Sequence, residues 1–448
     1  MKTVFVVGAG PAGLFAAQKI AQGGHQTIIF NRDIKPGGLA EYGIYPTKDK
    51  MKIGLRKQFA KVLSLPNVHY FGGVTVGEQA PITLNDLKTW GPSAIVFSVG
   101  AQGTKKLGLP GETAKGVYAA KDFVYNYNLL PLYKDRDFST GKRVAIIGMG
   151  NVMVDIARWL MIDAPVKTAE EVIVIARRGP FEAKFDKKEF DYIEEFLDRN
   201  AFDEELRRIQ PQLASVGQDI SKLAEDTFPV LAKPAEEQSG PKLRFRFLCS
   251  PHQIQADASG RIHRLGVVEN VLSERDGKIA CKATDKTVDL DVDTMIFAIG
   301  DVADPTLGVP YSRDAYVMNP NSSDPTHPSY ELFDPATSKT LPGLYAVGWA
   351  RKASEGLVGI ARHDGEVGAA QVLGYLQSAA DDNCLSAEQV RSELDKRKLR
   401  VIDKSDLERL GRVEDAVAKE RGMTWFKFDK DEDMLAAIEA EKAKAVTV

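Results

Sequence analysis

The chain has 448 residues and a formal net charge of −3. That length implies more than one domain, and the charge gives no global basic field to favour nucleic acid. No run approaches the roughly 20 apolar residues that span a bilayer, and the three separated cysteines, Cys249, Cys281 and Cys384, form no CxxC, which argues against a redox disulfide or an iron–sulfur cluster.

In chain order, Met1-Lys2-Thr3 runs straight into the apolar residues 4–7, so no signal peptide is expected and the cytoplasm is the default compartment, with an organelle matrix left open. Gly8-Ala9-Gly10-Pro11-Ala12-Gly13 follows and opens the apolar residues 14–17, the pattern of strand, tight turn and helix start. Glycine suits the sharp turn and a close backbone approach to a pyrophosphate, and the helix N-terminus offers free N–H groups and a positive dipole end. The next strand, 27–30, ends on Asn31, with Asp33 two residues on. Dinucleotide-binding units usually place an acid there for ribose hydroxyls; Asn31 can hydrogen-bond a ribose without charge assistance. Residues 94–100 read as a buried strand ending on Gly100, an end that faces ligands in parallel sheets, and 105–111 as a crossing linker.

A second glycine loop, Gly148-Met149-Gly150-Asn151, follows the apolar residues 144–147 and opens 152–157, with Met153 at the third glycine position. After the strand at 171–176 comes Arg177-Arg178-Gly179. A carboxylate there would repel a 2′-phosphate, whereas two guanidiniums bind one, which favours NADP over NAD; the alternative is an exposed basic turn. Asp155, one turn into the helix, suits the helix dipole as well as it suits catalysis. Two such loops indicate two dinucleotides, most economically one flavin and one nicotinamide exchanging a hydride. That chemistry asks the protein for positioning, electrostatics and exclusion of water rather than a nucleophile.

Residues 186–235 are charge-rich with helical spacing, as at 190–197, and sheet-like patterning returns at 243–248. Residues 294–300 are a second buried strand ending on glycine, 305–340 read as loop, and 343–349 as a strand delivering a loop to a ligand. Cys249 and His252 lie close but lack a second pair for zinc. The tail from about 385 is polar and helical, with a capping box at Ser386-Ala387-Glu388-Gln389.

Several segments together resemble the adrenodoxin reductase-type ferredoxin–NADP reductases. They are the first glycine loop, Gly37-Gly38-Leu39-Ala40-Glu41-Tyr42-Gly43-Ile44, Phe97-Ser98-Val99-Gly100, Gly150-Asn151-Val152 with Asp155, Arg177-Arg178-Gly179-Pro180 with Phe185 and Glu189, Phe245-Arg246-Phe247-Leu248-Cys249-Ser250-Pro251, and Gly348-Trp349-Ala350-Arg351-Lys352 leading to Gly356-Leu357-Val358-Gly359. The chain is similar also to the pyridine-nucleotide part of the glutamate synthase small subunit, without that subunit's cysteine-rich cluster domain.

The resemblance implies an α/β fold of two Rossmann-like dinucleotide-binding domains with parallel sheets, the NADP domain (107–330) inserted into the FAD domain (1–106 and 331–448). It implies FAD at Gly8, Gly10, Pro11, Ala12, Gly13, Asn31, Gly38, Leu39, Val74, Gly100, Gly348, Trp349, Gly356, Leu357 and Val358. It implies NADP at Gly150, Asn151, Val152, Arg177, Arg178 and Glu189, and makes Asp155, Glu189 and Lys48 the candidate catalytic groups. Three positions depart from the family pattern: Asn31 stands for a glutamate, Lys48 for a histidine in Pro46-Thr47-Lys48-Asp49, and Met153 for a small residue; in the tail, Leu407 stands for an aromatic. The implied activity passes electrons from NADPH through flavin to a ferredoxin-type iron–sulfur protein. The alternatives are another acceptor (a quinone or a larger complex) or a non-catalytic flavin redox sensor. Arg207, Arg208, Arg244 and Arg246 are candidate docking residues for an acidic ferredoxin, solvated surface being the other reading.

Overall fold

Val4, Phe5 and Val6 are fully buried, so the first strand, β1 (Thr3–Val7), lies in a sheet covered on both faces, as parallel strands require. The computed structural model describes residues 1–234, 240–275, 277–322, 328–353, 357–381 and 383–446. The chain divides into two units: Met1–Lys105 with Tyr127–Asp135 and Asp301–Val448, and Lys106–Asn126 with Arg136–Gly300.

From β1 the chain enters α1 (Pro11–Gln22), returns as β2 (Gln26–Asn31), and passes through α2 (Leu39–Tyr42) and α3 (Asp49–Leu63) to β3 (Val68–Gly72) and β4 (Ala94–Phe97). The second unit runs β5 (Val117–Ala119), β6 (Arg143–Ile147), α4 (Asn151–Arg158), β7 (Glu171–Ile175), α5 (Arg199–Ser215) and β8 (Lys242–Arg246). An antiparallel trio follows, β9 (Cys249–Ala256), β10 (Ile262–Arg275) and β11 (Lys278–Asp291), and then β12 (Thr294–Phe297). The chain re-enters the first unit with β13 (Glu331–Asp334), β14 (Lys339–Ala346), α6 (Val358–Ser378), α7 (Ala387–Lys396), α8 (Lys404–Glu420) and α9 (Asp431–Val446).

The first unit holds a six-stranded sheet in the order β13-β14-β4-β1-β2-β3, parallel except for β13 against β14. The order reverses between β2 and β4 on either side of β1, which leaves a crevice at the carboxyl end of β1, the usual ligand position in such sheets. One face is covered by α1 and α6, with Leu14, Ala17, Ala369 and Val372 in the core. The second unit has a parallel five-stranded sheet in the order β5-β12-β6-β7-β8.

Two expectations need correction. The second junction falls at Gly300–Asp301 rather than near 330. Residues 301–322 belong with the first unit because Leu307, Val309 and Tyr316 join its core beside Phe97 and Leu332, and because Asp301–Val302 pairs antiparallel with Gly103–Thr104. The spacing at 190–197 gives no continuous helix, only Lys187–Phe190 and Glu194–Phe196. There Phe190 stacks on Phe185 at 4.9 Å and meets Phe228 edge-on at 5.2 Å, so aromatic packing sets the backbone path.

Candidate functional site

The first glycine loop is built by close approach. Gly8 has φ +102°, and a Cβ on it would stand 2.6 Å from the Ser98 carbonyl oxygen; its N–H donates to Phe30 O at 2.7 Å. A Cβ on Gly13 would collide with Gly8 O and Ser98 Oγ, so the helix start must be glycine to lie against the strand ends. Gly10 is different, with no heavy atom within 4 Å of where its Cβ would be. It is the N-cap of α1, with no side-chain cap, Pro11 in the first turn and Ala12 behind it. The helix therefore presents uncapped N–H groups to an open space, a cradle that fits a pyrophosphate.

Other loops converge on this cradle. Gly38, with φ +51°, would place a Cβ 3.3 Å from Gly10 Cα, and Gly37 N–H donates to Ala9 O at 2.7 Å. Leu39, half-buried, begins α2 directly after it. Gly348, with φ +65°, would place a Cβ 2.6 Å from Ala12 Cβ, and Trp349 beside it is half-buried. Gly100 also has a left-handed backbone, φ +71°. Leu357 is the uncapped N-cap of α6 and 63% exposed, with Val358 next; Gly356 lies outside the described residues.

Asn31 is turned inward. Its Oδ1 accepts from Ala9 N–H at 2.9 Å, and its Nδ2 donates to Asp33 O at 2.8 Å, Lys35 O at 3.0 Å and Tyr70 Oη at 3.1 Å. Those bonds make it a clip on the glycine loop. Val74, 1% exposed, donates its N–H to Asn31 O at 2.9 Å. Lys48, half-buried, is the N-cap residue of α3.

Sequence reasoning missed a carboxylate that holds the Gly348 turn. Asp364 of α6 accepts from Gly348 N–H at 2.5 Å and Tyr330 Oη at 2.9 Å, and pairs with Arg351. The Arg351 guanidinium lies 4.1 Å over the Tyr330 ring. Burial and the neighbouring Asp364 push the Tyr330 phenol well above its ordinary range. No local pattern marks Asp364, since its partners come from 13 to 34 residues away.

The second cradle, in the other unit, repeats the construction. Gly148 has φ +113°, a Cβ on it would collide with Ala298 O, and its N–H donates to Ile175 O at 3.0 Å. Gly150 is the uncapped N-cap of α4 and faces open space. Met153 is fully buried where a third glycine would stand. Asn151 Oδ1 accepts from Asp186 N–H at 2.7 Å, tying the cradle to the segment that carries Glu189. Val152 is 40% exposed, and Asp155 and Glu189 are half-buried.

Arg177 is exposed and Arg178 half-buried. Their backbones are pinned: Asn270 Nδ2 donates to Arg177 O at 2.9 Å, and Leu248 N–H to Arg178 O at 3.3 Å. Neither guanidinium is held by an ion pair among the described residues. The docking candidates differ. Arg208 pairs with Glu205 at 2.7 Å, Arg244 with Asp198 at 3.0 Å and Arg246 with Glu205 at 3.2 Å, so these three serve their own unit, and of the four only Arg207 is exposed.

A family model described as pyridine nucleotide-disulphide oxidoreductase matches residues 2–206. The NADPH-ferredoxin reductase FprA of Mycobacterium tuberculosis is 29% identical over 398 residues, 81% of each chain. The mitochondrial NADPH:adrenodoxin oxidoreductase of Arabidopsis thaliana is 27% identical, covering 97% of this chain and 95% of the relative. The solved structure of Mycobacterium tuberculosis FprA in complex with NADPH superposes with a TM-score of 0.82 at 26% identity, covering 98% of this chain and 99% of that one. The chain is thus similar, over nearly its whole length, to NADPH-dependent ferredoxin and adrenodoxin reductases. No helix among the described residues is long and apolar enough to cross a membrane.

Proposed function

We propose that the chain is an FAD-dependent oxidoreductase that takes electrons from NADPH and delivers them to a ferredoxin-type iron–sulfur protein. The observation that carries this reading is the pair of open, uncapped helix N-termini at Gly10 and Gly150, one in each unit, only the second followed by two unpaired guanidiniums. The relatives named for ferredoxin and adrenodoxin support the choice of acceptor.

In this reading the first unit holds FAD and the second NADP. A bound flavin supplies the exchange between a two-electron hydride donor and a one-electron acceptor. The chain's own groups position and bind. The α1 amides beyond Gly10 hold one pyrophosphate, and Gly38 and Gly100 let backbone pass close to it. Trp349 and the backbone of Leu357 and Val358 would contact the flavin ring system. Asn151 and Val152 bind the second pyrophosphate, and Arg177 and Arg178 clamp the 2′-phosphate by charge-assisted hydrogen bonds. Glu189 on the nicotinamide side, Lys48 near the flavin and Asp155 one turn into α4 would set the local charge and help to orient the reacting groups. The cytoplasm is the compartment proposed, an organelle matrix the alternative, and fractionation decides between them.

The test is an anaerobic titration of the purified protein, watched in the visible spectrum. Bleaching of a flavin band at far lower NADPH than NADH is expected. A flavin band that neither coenzyme bleaches overturns the reading in favour of a binding or sensing role.

A further inference from the structure

The C-terminal tail grips the two elements on either side of the turn 43–48. Trp425 donates its indole N–H to Asp49, the first residue of α3, at 2.6 Å. The Trp425 ring is faced by the Arg56 guanidinium at 4.4 Å and the Lys52 ammonium at 5.5 Å. Two residues on, Lys427 is inserted behind α2. Its Nζ donates to Asn128 O at 2.6 Å, lies 3.9 Å from the Glu41 carboxylate, and stands 4.5 Å over the Tyr42 ring.

Glu41, 3% exposed, is the anion at the centre. It takes two bonds from Arg56, one at 2.8 Å, and has Lys35 at 4.0 Å. Glu414 of α8 holds Lys35 at 2.6 Å and accepts from Phe428 N–H at 3.1 Å. Lys427 is 7% exposed, and burial with its cationic neighbours Lys52, Lys35 and Arg56, against the pull of Glu41, lowers its ammonium to about 7. Burying such groups costs free energy that apolar side chains of similar volume would avoid. What the ionic cluster gives instead is fixed geometry, and the element it fixes begins at Leu39, right after the Gly38 that stands against Gly10.

We propose that Trp425 and Lys427 are positioning residues for the loop 37–49: the tail latches α2 and the start of α3, keeping Gly38 against Gly10 and Lys48 in place. The proposal rests on the assignment of FAD to the first unit. The test compares Lys427→Met and Trp425→Phe with Lys442→Ala. Trp425→Phe keeps a ring facing Arg56 and Lys52 but removes the bond to Asp49. Lys442 belongs to the same tail but pairs with Asp406 at 3.0 Å and Glu439 at 3.3 Å.

Two readouts are taken: FAD release on dilution, followed by flavin fluorescence, and amide hydrogen exchange of the FAD-free chain. Lys427→Met and Trp425→Phe are each expected to speed FAD release by about tenfold, the scale of one lost hydrogen bond to a charged group. Both should raise exchange at residues 37–52 while β1 stays protected, and Lys442→Ala should do neither. Unchanged loop exchange, or exchange raised equally throughout the first unit, overturns the latch. A wild-type chain that binds no FAD overturns the functional reading instead, and the exchange pattern still decides whether the tail orders the loop.

Discussion

The two cradles are built to one plan and diverge one residue beyond the second strand. Gly8 N–H bonds to Phe30 O and Gly148 N–H to Ile175 O, so Phe30 corresponds to Ile175, Asn31 to Ala176, and Arg32-Asp33 to Arg177-Arg178. In the first unit the Arg32 guanidinium pairs with its neighbour Asp33 at 2.9 Å, which leaves no net charge at that turn. In the second unit both residues are cationic and neither forms an ion pair among the described residues. Under the proposed function, that difference would separate a turn facing a plain ribose from one facing a 2′-phosphate. The residues that differ follow the next strand rather than the glycine loop itself.

The largest expected effect breaks the cradle geometry itself. Gly13→Ala pushes a methyl group into Gly8 O and Ser98 Oγ and should cost about 3 kcal/mol or more, read as the denaturation midpoint of the FAD-free chain. Gly10→Ala has room for its methyl and an extended φ of −74°, so stability should change by less than about 0.5 kcal/mol while flavin binding falls. Equal stability losses in the two variants would mean that the open space at Gly10 is not the binding cradle.

The cradles are also braced differently. The second is tied to the 184–186 segment by the Lys184–Met149 backbone bond and by Asn151, whereas the first leans on buried charge. Burial pushes the Glu41 carboxyl up, but Lys35, Arg56 and Lys427 outweigh it and hold it at about 2. A carboxyl lowered on folding stabilises the chain fully above its unfolded value of 4.5, and that stability drains away as pH falls towards 2. The loss should reach about 3 kcal/mol. Glu41→Gln should flatten this acid limb, and parallel stability curves for the two proteins between pH 5 and pH 2 would refute the assignment.

A smaller effect tests the charge difference directly. Arg177→Ala with Arg178→Ala should raise KM for NADPH by about ten- to a hundredfold, for a loss of roughly 1.5–3 kcal/mol, with KM for NADH and the unfolding midpoint nearly unchanged. If both coenzymes respond alike, the turn supports the fold rather than the phosphate.

Much of this plan was legible in the chain because it is local. The two glycine loops, the strands before them and the arginine turn each occupy a few consecutive residues. So does the capping box, in which Ser386 N–H donates to Gln389 Oε1 at 2.8 Å. What escaped is long-range. Lys427 meets Asn128 across 299 residues of chain, and Asp364 joins Tyr330 to the Gly348–Arg351 turn from a helix further along. Residues 305–340 read as loop because they hold many Pro, Ser, Asn and Asp, yet Leu307, Val309 and Tyr316 reach the core of the first unit. The charges of Arg244 and Arg246 looked available only because their carboxylate partners, Asp198 and Glu205, are distant in the chain, whereas Arg208 pairs with Glu205 one turn before it on α5.

The smallest effect concerns Asn31, the position where the unit-to-unit match gives Ala176. A ribose ligand would need its amide to point outward, but the side chain is 7% exposed and occupied by the loop's own backbone. Asn31→Ala leaves the Ala9 N–H without that acceptor and should cost about 1–2 kcal/mol of stability. FAD affinity should fall only in step with loop order, so stabilising the variant with an osmolyte should restore binding along with the unfolding midpoint. Affinity that stays low once the midpoint is restored would mean that Asn31 touches the ribose after all, and that the first cradle rearranges when its ligand arrives.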